Sequence, residues 1–514
     1  MRGCRVVVAA ILFLLGPWFT SRGLATPHLP LTKNGECRTF WRGRGFSSEG
    51  PSGRNTLFRP GEREAYREYY RRLDRENCWK EWLIVIYMAA DNDLSPYSFR
   101  DLWEMESVGS APSVDVVAFH DSAGDGTRYF HIAKNPRVLD IENTLRAFVR
   151  QEGLEQHEPQ VQEEAFWEKR GLSLVVSPVV KLSPESDSGD IRTAGEFLLW
   201  AFKKYPSRRI MLVGWSHGEG FDAKKTDARP SGRQGGFAFD YSSKTHMHAT
   251  EMSEGLKRLL EKTRAGKEID ILGSDACLNQ QAEFAYEWKG TAEYLFGSST
   301  IVQKKGFNYH SLLGWFSEHP LQPTAELAKK IPLLYGQSVK STSHGKYSSY
   351  YDPSATMATW VVSELTFLKR AMDALGNTLF DWLDVKDELQ KIQRQEEMRK
   401  VIAKSLRLGA VSNDLFNFLQ VLEVWAKEKD LKDIANAINT ARRCLHKSVL
   451  EKYIGEKYQR GLLRTSLGVG IWLPTSDDEF EEMFPKFERA LLYQTEAEPK
   501  SLSEWGRFLK AIYR

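Results

Sequence analysis

Cysteine is scarce. The 514-residue chain has five, none in C-x-x-C spacing. That excludes a disulfide-built scaffold and offers no zinc or dithiol redox motif. There is no internal repeat, and beyond the first twenty residues no apolar run is long enough to span a bilayer. Net charge is nearly absent too. The formal charge is +3, and losing Arg2, Arg5 and Arg22 with an N-terminal leader brings it to zero. A neutral chain gives no electrostatic case for binding nucleic acid. The 41% hydrophobic and 27% charged content is that of an ordinary globular protein, with a length that allows about two to four domains.

The leader itself has three parts. Arg2 and Arg5 precede the uncharged apolar run Val6–Thr20, and small residues end at Ala25. This pattern predicts a signal peptide over residues 1–25 and a secreted or periplasmic protein; Gly16 and Pro17 argue against a permanent anchor. Cys4 leaves with it. Of the four cysteines that remain, Cys37 and Cys78 form the favoured disulfide pair, since both lie in the Gly-, Pro-, Arg- and Ser-rich extension 26–80, read as a pro-segment or surface wrapping.

A strand–helix rhythm then begins. Strands are expected at Trp82–Ala90, Val114–His120, Leu172–Val180, Arg209–Trp215, Phe237–Tyr241, Glu268–Ser274 and Tyr294–Ser299, with helices at Ile191–Lys204 and Thr250–Thr263. Continuous apolar strands between amphipathic helices imply a three-layer α/β sheet with functional groups at the strands' carboxyl ends. From about residue 325 the chain turns mostly helical, with one late strand at Leu467–Leu473; the charge run 386–404 reads as a solvated helix face.

Two strand ends carry chemistry. "GWSHG" at 214–218 contains G-x-S-x-G, which would make Ser216 the nucleophile of a serine hydrolase. A nucleophile elbow needs a helix directly behind the serine. The segment after Gly218 is a glycine-rich, proline-containing loop, so that reading fails. At 269–288, "IDILGSDACLNQQAEFAYEW" has Leu278, Ala282, Ala285 and Trp288 at helical spacing. Cys277 is therefore expected where a strand hands over to a helix, a setting that favours thiolate, unless it is simply a buried small hydrophobe. His217 stands at the other strand end beside Gly218, so adjacent parallel strands would bring imidazole and thiol together. Papain-like enzymes place the histidine about 130–150 residues after the cysteine, and here that window holds none. The interval of sixty, histidine first, matches the caspase-type order instead.

With these blocks, "VIYMAADNDL" at 85–94, "GGFAFDYSS" at 235–243, "SNDLFNFLQVL" at 412–422, "LGVGIWLP" at 467–474 and "SLSEWGRFLKAIY" at 501–513, the chain resembles the clostripain family of secreted cysteine peptidases, from about 82 to 513. The resemblance implies a caspase-like sheet with flanking helices in a catalytic domain over 81–324, followed by the helical region 325–514. It implies a cysteine endopeptidase acting on peptides through a His217/Cys277 dyad, with the N–H groups of Gly218 and Cys277 as oxyanion hole. The rival is a catalytically silent relative that binds peptides or partners. Asp275 matches the family aspartate that faces a basic P1 side chain, or is an N-cap of the following helix. Lys304 and Lys305 stand where the family tends to carry acids, and Ser216 where it commonly carries aspartate. The polar loop 223–236 is where the family is cut to activate its zymogen, with Arg233 the favoured bond; it otherwise stays an uncut loop. No cofactor is required by the sequence. Calcium is used in the family, and Asp91 and Asp93 offer oxygen ligands, or an Asx turn.

Overall fold

In the computed structural model the described residues are 79–124, 126–135, 175–183, 185–221, 236–304, 306–340, 352–409, 412–459, 466–498 and 501–514. The leader, the 26–80 extension up to Cys78, Cys37, Arg233 and Lys305 lie outside them.

The core begins with β1 (Lys80–Ala90), whose alternate side chains feed two separate apolar layers. Leu83, Val85, Tyr87 and Ala89 enter one; Trp82, Ile84, Ile86 and Met88 enter the other. A strand covered on both faces has to be apolar throughout, which is why its sequence shows no alternation. Each such large side chain, fully buried, contributes about 1.5–3 kcal/mol.

β1 is followed by α1 (Ser95–Val108), β2 (Val114–Ser122), β3 (Gly126–His131), β4 (Val179–Ser183), α2 (Ile191–Lys204), β5 (Ser207–Trp215), a ribbon of β6 (Phe237–Asp240) and β7 (Thr245–Met247), α3 (Ala249–Arg264), β8 (Ile269–Asp275), the short α4 (Ala282–Tyr286), β9 (Ala292–Gly297), α5 (Tyr309–Glu318) and α6 (Thr324–Lys340). Then come β10 (Thr356–Val361), α7 (Leu365–Leu383), α8 (Glu388–Ala403), β11 (Ser412–Asp414), α9 (Leu415–Glu428), α10 (Lys432–Ser448), β12 (Val449–Ile454), β13 (Gly470–Trp472), α11 (Asp477–Phe487) and α12 (Glu504–Tyr513).

Nine strands form one sheet in the order β12-β10-β9-β8-β5-β1-β2-β3-β4. The five inner strands β9, β8, β5, β1 and β2 run parallel, and the two wings are antiparallel. Residues of α2 and α3 pack one face of the sheet, and those of α1, α5 and α6 the other. The helix α2 shows how local the signals are. Asp190 accepts a hydrogen bond from the Arg192 N–H as its N-cap, and Ala194, Phe197, Leu198 and Ala201 make its buried stripe. The charged run forms α8, of which only Met398, Val401 and Ile402 are buried.

Three expectations need correction. The strand expected over Leu172–Val180 is β4, which lies several residues later. Val176 and Ser177 give their N–H groups to the buried carboxylate of Glu106 rather than to a ladder. The strand at Phe237–Tyr241 forms, but pairs with β7 outside the main sheet. The late strand shortens to β13, which pairs with β11 in a second two-stranded sheet. Strands β10 and β12, from beyond residue 325, join the main sheet, β10 against β9 and β12 outside it at the edge.

Candidate active site

β5 and β8 are neighbours, with Trp215 opposite Asp275 at the end of their shared register. His217 and Cys277 each lie two residues farther on, so the topology sets them side by side at the carboxyl rim of the sheet. Their turns are stitched together. The Gly220 N–H donates to Asn279 Oδ1 at 3.1 Å and the Phe221 N–H to Gln281 Oε1 at 2.8 Å. Gly218 lies so close to the second turn that a Cβ there would sit 2.4 Å from the carbonyl oxygen of Cys277. Only glycine permits this approach.

The imidazole has a carboxylate partner. His217 Nε2 and Asp93 Oδ1 are 2.6 Å apart, and the Tyr241 hydroxyl donates to the same oxygen at 3.2 Å. The His217 and Tyr241 rings are within 9° of parallel, with centroids 6.2 Å apart. Burial alone would raise the Asp93 carboxyl, but the His217 hydrogen bond and charge outweigh it and hold the group below the usual range. Asn92, buried beside it, ties the end of β1 to β6 by donating to the carbonyls of Ala89 and Phe239 at 2.9 and 2.8 Å. Sequence reasoning misses both Asn92 and Tyr241; Tyr241 is 148 residues from its partner Asp93.

Cys277 differs from expectation. No helix starts behind it: residues 276–281 form a turn, with Leu278 at φ +63°, and α4 begins only at Ala282. The apolar spacing 278, 282, 285, 288 spans a turn and a short helix rather than one helix face. Without a helix dipole the thiol is ruled by burial, which pushes it above its usual range despite the Val302 N–H that would favour thiolate. The Val302 N–H donates to Sγ at 3.3 Å, and Sγ donates to the Val302 carbonyl at 3.6 Å.

Asp275 is fully enclosed. Its Oδ2 accepts from the Phe307 N–H at 3.2 Å and the Tyr309 hydroxyl at 2.9 Å, and burial pushes its carboxyl up to about 7. It caps no helix. Lys304 lies over the Tyr97 ring at 5.5 Å. Ser216 is buried as a staple: its hydroxyl donates to the Ala89 carbonyl at 2.9 Å and accepts from the Phe239 N–H at 3.1 Å. Asp91 and Asp93 part company. Asp91 gathers with Glu185 and Asp240, one ligand oxygen from each lying within 4.8 Å of the others, while Asp93 serves His217.

The family model described as "Clostripain family" matches residues 86–505. The chain belongs to the clostripain family. It is thereby a cysteine-type peptidase, with peptides as its substrate class. No curated protein matches it in a sequence search. Several solved structures resemble it, among them three C11 proteases. A secreted C11 cysteine protease from Bacteroides thetaiotaomicron, in complex with an irreversible peptide inhibitor, is 17% identical over 80% of this chain and 99% of its own, at a TM-score of 0.50. An inactive zymogen C11 protease from Parabacteroides distasonis is 17% identical over 81% and 98%, at 0.53. A further secreted C11 protease from Bacteroides thetaiotaomicron, "iotapain", is 15% identical over 81% and 99%, at 0.54. The clostripain-family chain thus shares the caspase-like α/β fold of these proteases. Among its described residues no helix is long and apolar enough to cross a membrane.

Proposed function

We propose that the chain is a secreted cysteine endopeptidase in which Cys277 is the nucleophile and His217 the acid–base group. The observation that carries this is the register of β5 against β8, which sets both residues two positions past one paired rung. Sγ bonds to the scissile carbonyl carbon as its proton passes to the imidazole. The N–H groups of Gly218 and Cys277 receive the developing oxyanion, and the imidazolium returns the proton to the leaving amine. Water then releases the acyl group.

A basic P1 preference rests on Asp275. Since that carboxylate is closed in by Phe307 and Tyr309, reading a P1 cation through it requires the 306–309 segment to give way. Self-processing at Arg233 and export directed by residues 1–25 complete the reading. The silent peptide-binding alternative draws on one observation, the Cys277 sulfur clasped by the Val302 backbone, where burial disfavours the thiolate. A panel of Arg, Lys and other P1 reporters, combined with a labelled P1-Arg chloromethyl ketone and mass mapping, tests the reading. The expected result is turnover, with the label on Cys277. No turnover and no label, even after nicking within 223–236, would favour the silent binder.

For calcium, the fitting donors are Asp91, Glu185 and Asp240. Burial, with the neighbouring carboxylates adding to it, raises Asp91 and Glu185, and a divalent cation among them would relieve that repulsion. Its role there would be structural, tying the end of β1 to β6. Millimolar calcium is expected to raise the melting temperature of the wild type and not of Asp240→Asn; an equal response in both would remove calcium from this cluster.

A further inference from the structure

We infer that Asp93 is a positioning residue for His217, making the centre a carboxylate–imidazole–thiol relay rather than a two-residue one. The inference rests on the dyad of the proposed function.

The geometry assigns the two ring nitrogens different work. Nε2 is engaged by Asp93 Oδ1 at 2.6 Å, a separation typical of a charge-assisted hydrogen bond. Nδ1 makes no hydrogen bond to any described residue, so it is the nitrogen left to exchange a proton with the thiol and the leaving amine. A carboxylate acts only as acceptor, so the Nε2 proton stays in place and Nδ1 is the basic site of the neutral ring. When Nδ1 takes the thiol proton, both ring nitrogens carry hydrogen. The positive charge then faces the Asp93 carboxylate, and on return of the proton to the amine the ring resumes its starting tautomer. No proton moves to Asp93.

The carboxylate is itself oriented. The Tyr241 hydroxyl donates to the same Oδ1 at 3.2 Å, and the Tyr241 ring runs parallel to the imidazole. Tyr241 is anchored in turn, its N–H donating to the Asp91 carbonyl at 2.7 Å. The titratable groups acting on Asp93 are thus His217 and Tyr241. Asp93 lies three residues past the end of β1, the strand beside β5, so three adjacent parallel strands each supply one member of the relay from the same rim. The side chain of Asp93 is 61% exposed. It is therefore not needed as a core element, and its substitution leaves the fold intact.

The test compares Asp93→Asn, Asp93→Glu and the wild type on one reporter peptide. It also follows the His217 ring titration by NMR in a Cys277→Ala background, assigned by loss of the signal in His217→Ala. Asn keeps the shape and removes the charge. Expected are a kcat lower by about ten- to a hundredfold with KM changed by less than about threefold, and partial recovery of kcat in Asp93→Glu. The His217 ring titration should differ between Asp93→Asn and the wild type, because the imidazolium loses its counter-charge. A residue with only a structural role would move neither the kcat–KM split nor the ring titration. If kcat stays within about twofold of wild type, or the titration does not move, the inference is overturned while the dyad stands. If Cys277→Ala itself retains turnover, it is the dyad that fails. The titration needs no substrate, so it decides the inference even before a good reporter peptide is found.

Discussion

Cys277→Ala is expected to lower peptide turnover by about 10⁴-fold or more, to background, without shifting the melting temperature appreciably. As the proposed nucleophile, Cys277 would supply the covalent route, and only binding and oxyanion stabilisation would remain after its loss. The side chain is small and half-buried, so alanine leaves little cavity. The informative contrast is Ser216→Ala. Ser216 is the residue that G-x-S-x-G would make the nucleophile, yet its hydroxyl is committed to the Ala89 carbonyl and to the Phe239 N–H. Its removal strands a buried N–H and should cost about 1–3 kcal/mol of stability, with turnover kept within about tenfold. Activity that vanishes in Ser216→Ala and survives in Cys277→Ala would sink the cysteine mechanism altogether.

Trp472→Ala should be the most destabilising single truncation in the C-terminal region, at about 3–5 kcal/mol. Trp472 is fully buried at the end of β13. Its ring lies on Phe487 with centroids 4.5 Å apart and planes 4° from parallel, and Phe480, Phe484 and Tyr493 surround it at 6.2–6.4 Å. Its backbone N–H donates to Glu283 Oε1 at 2.8 Å, and the Tyr493 hydroxyl donates to the same oxygen at 2.6 Å. Glu283 stands in the short helix behind the Cys277 turn, so a cavity at 472 loosens that turn's support. The melting temperature should drop by several degrees, and kcat with it. Trp472→Phe keeps a stacking ring and should recover most of both. Equal losses in the two variants would mean that ring stacking is not what holds this corner.

The features legible in the sequence are those encoded locally. β1, β5, β8 and β9 announce themselves because strands covered on both faces must be apolar, and α2 because its cap and stripe lie within one short segment. β3 escapes such reading: it is an antiparallel strand near the sheet's edge, and "GTRYFH" carries polar residues that such a position tolerates. The place of Cys277 at a strand end is legible, but its neighbourhood is not. Helical spacing cannot distinguish one helix from a turn leading into a shorter one. The Asp93–His217 contact spans 124 residues, and no local pattern reports a pairing made by the order of strands in a sheet. The Val302 clasp and the enclosure of Asp275 are invisible for the same reason.

The floor beneath the Cys277 turn is supplied from far along the chain. Gly470 donates its N–H to the Gln280 carbonyl at 2.9 Å, Trp472 holds Glu283, and the Ser299 hydroxyl reaches the Gly468 carbonyl at 2.7 Å. Synthesis proceeds from the other end, and folding tracks emergence. Until that late segment has emerged, the strand ends that carry His217 and Cys277 lack these contacts. The Cys277 turn is therefore fully supported only once residues 468–472 have packed beneath it.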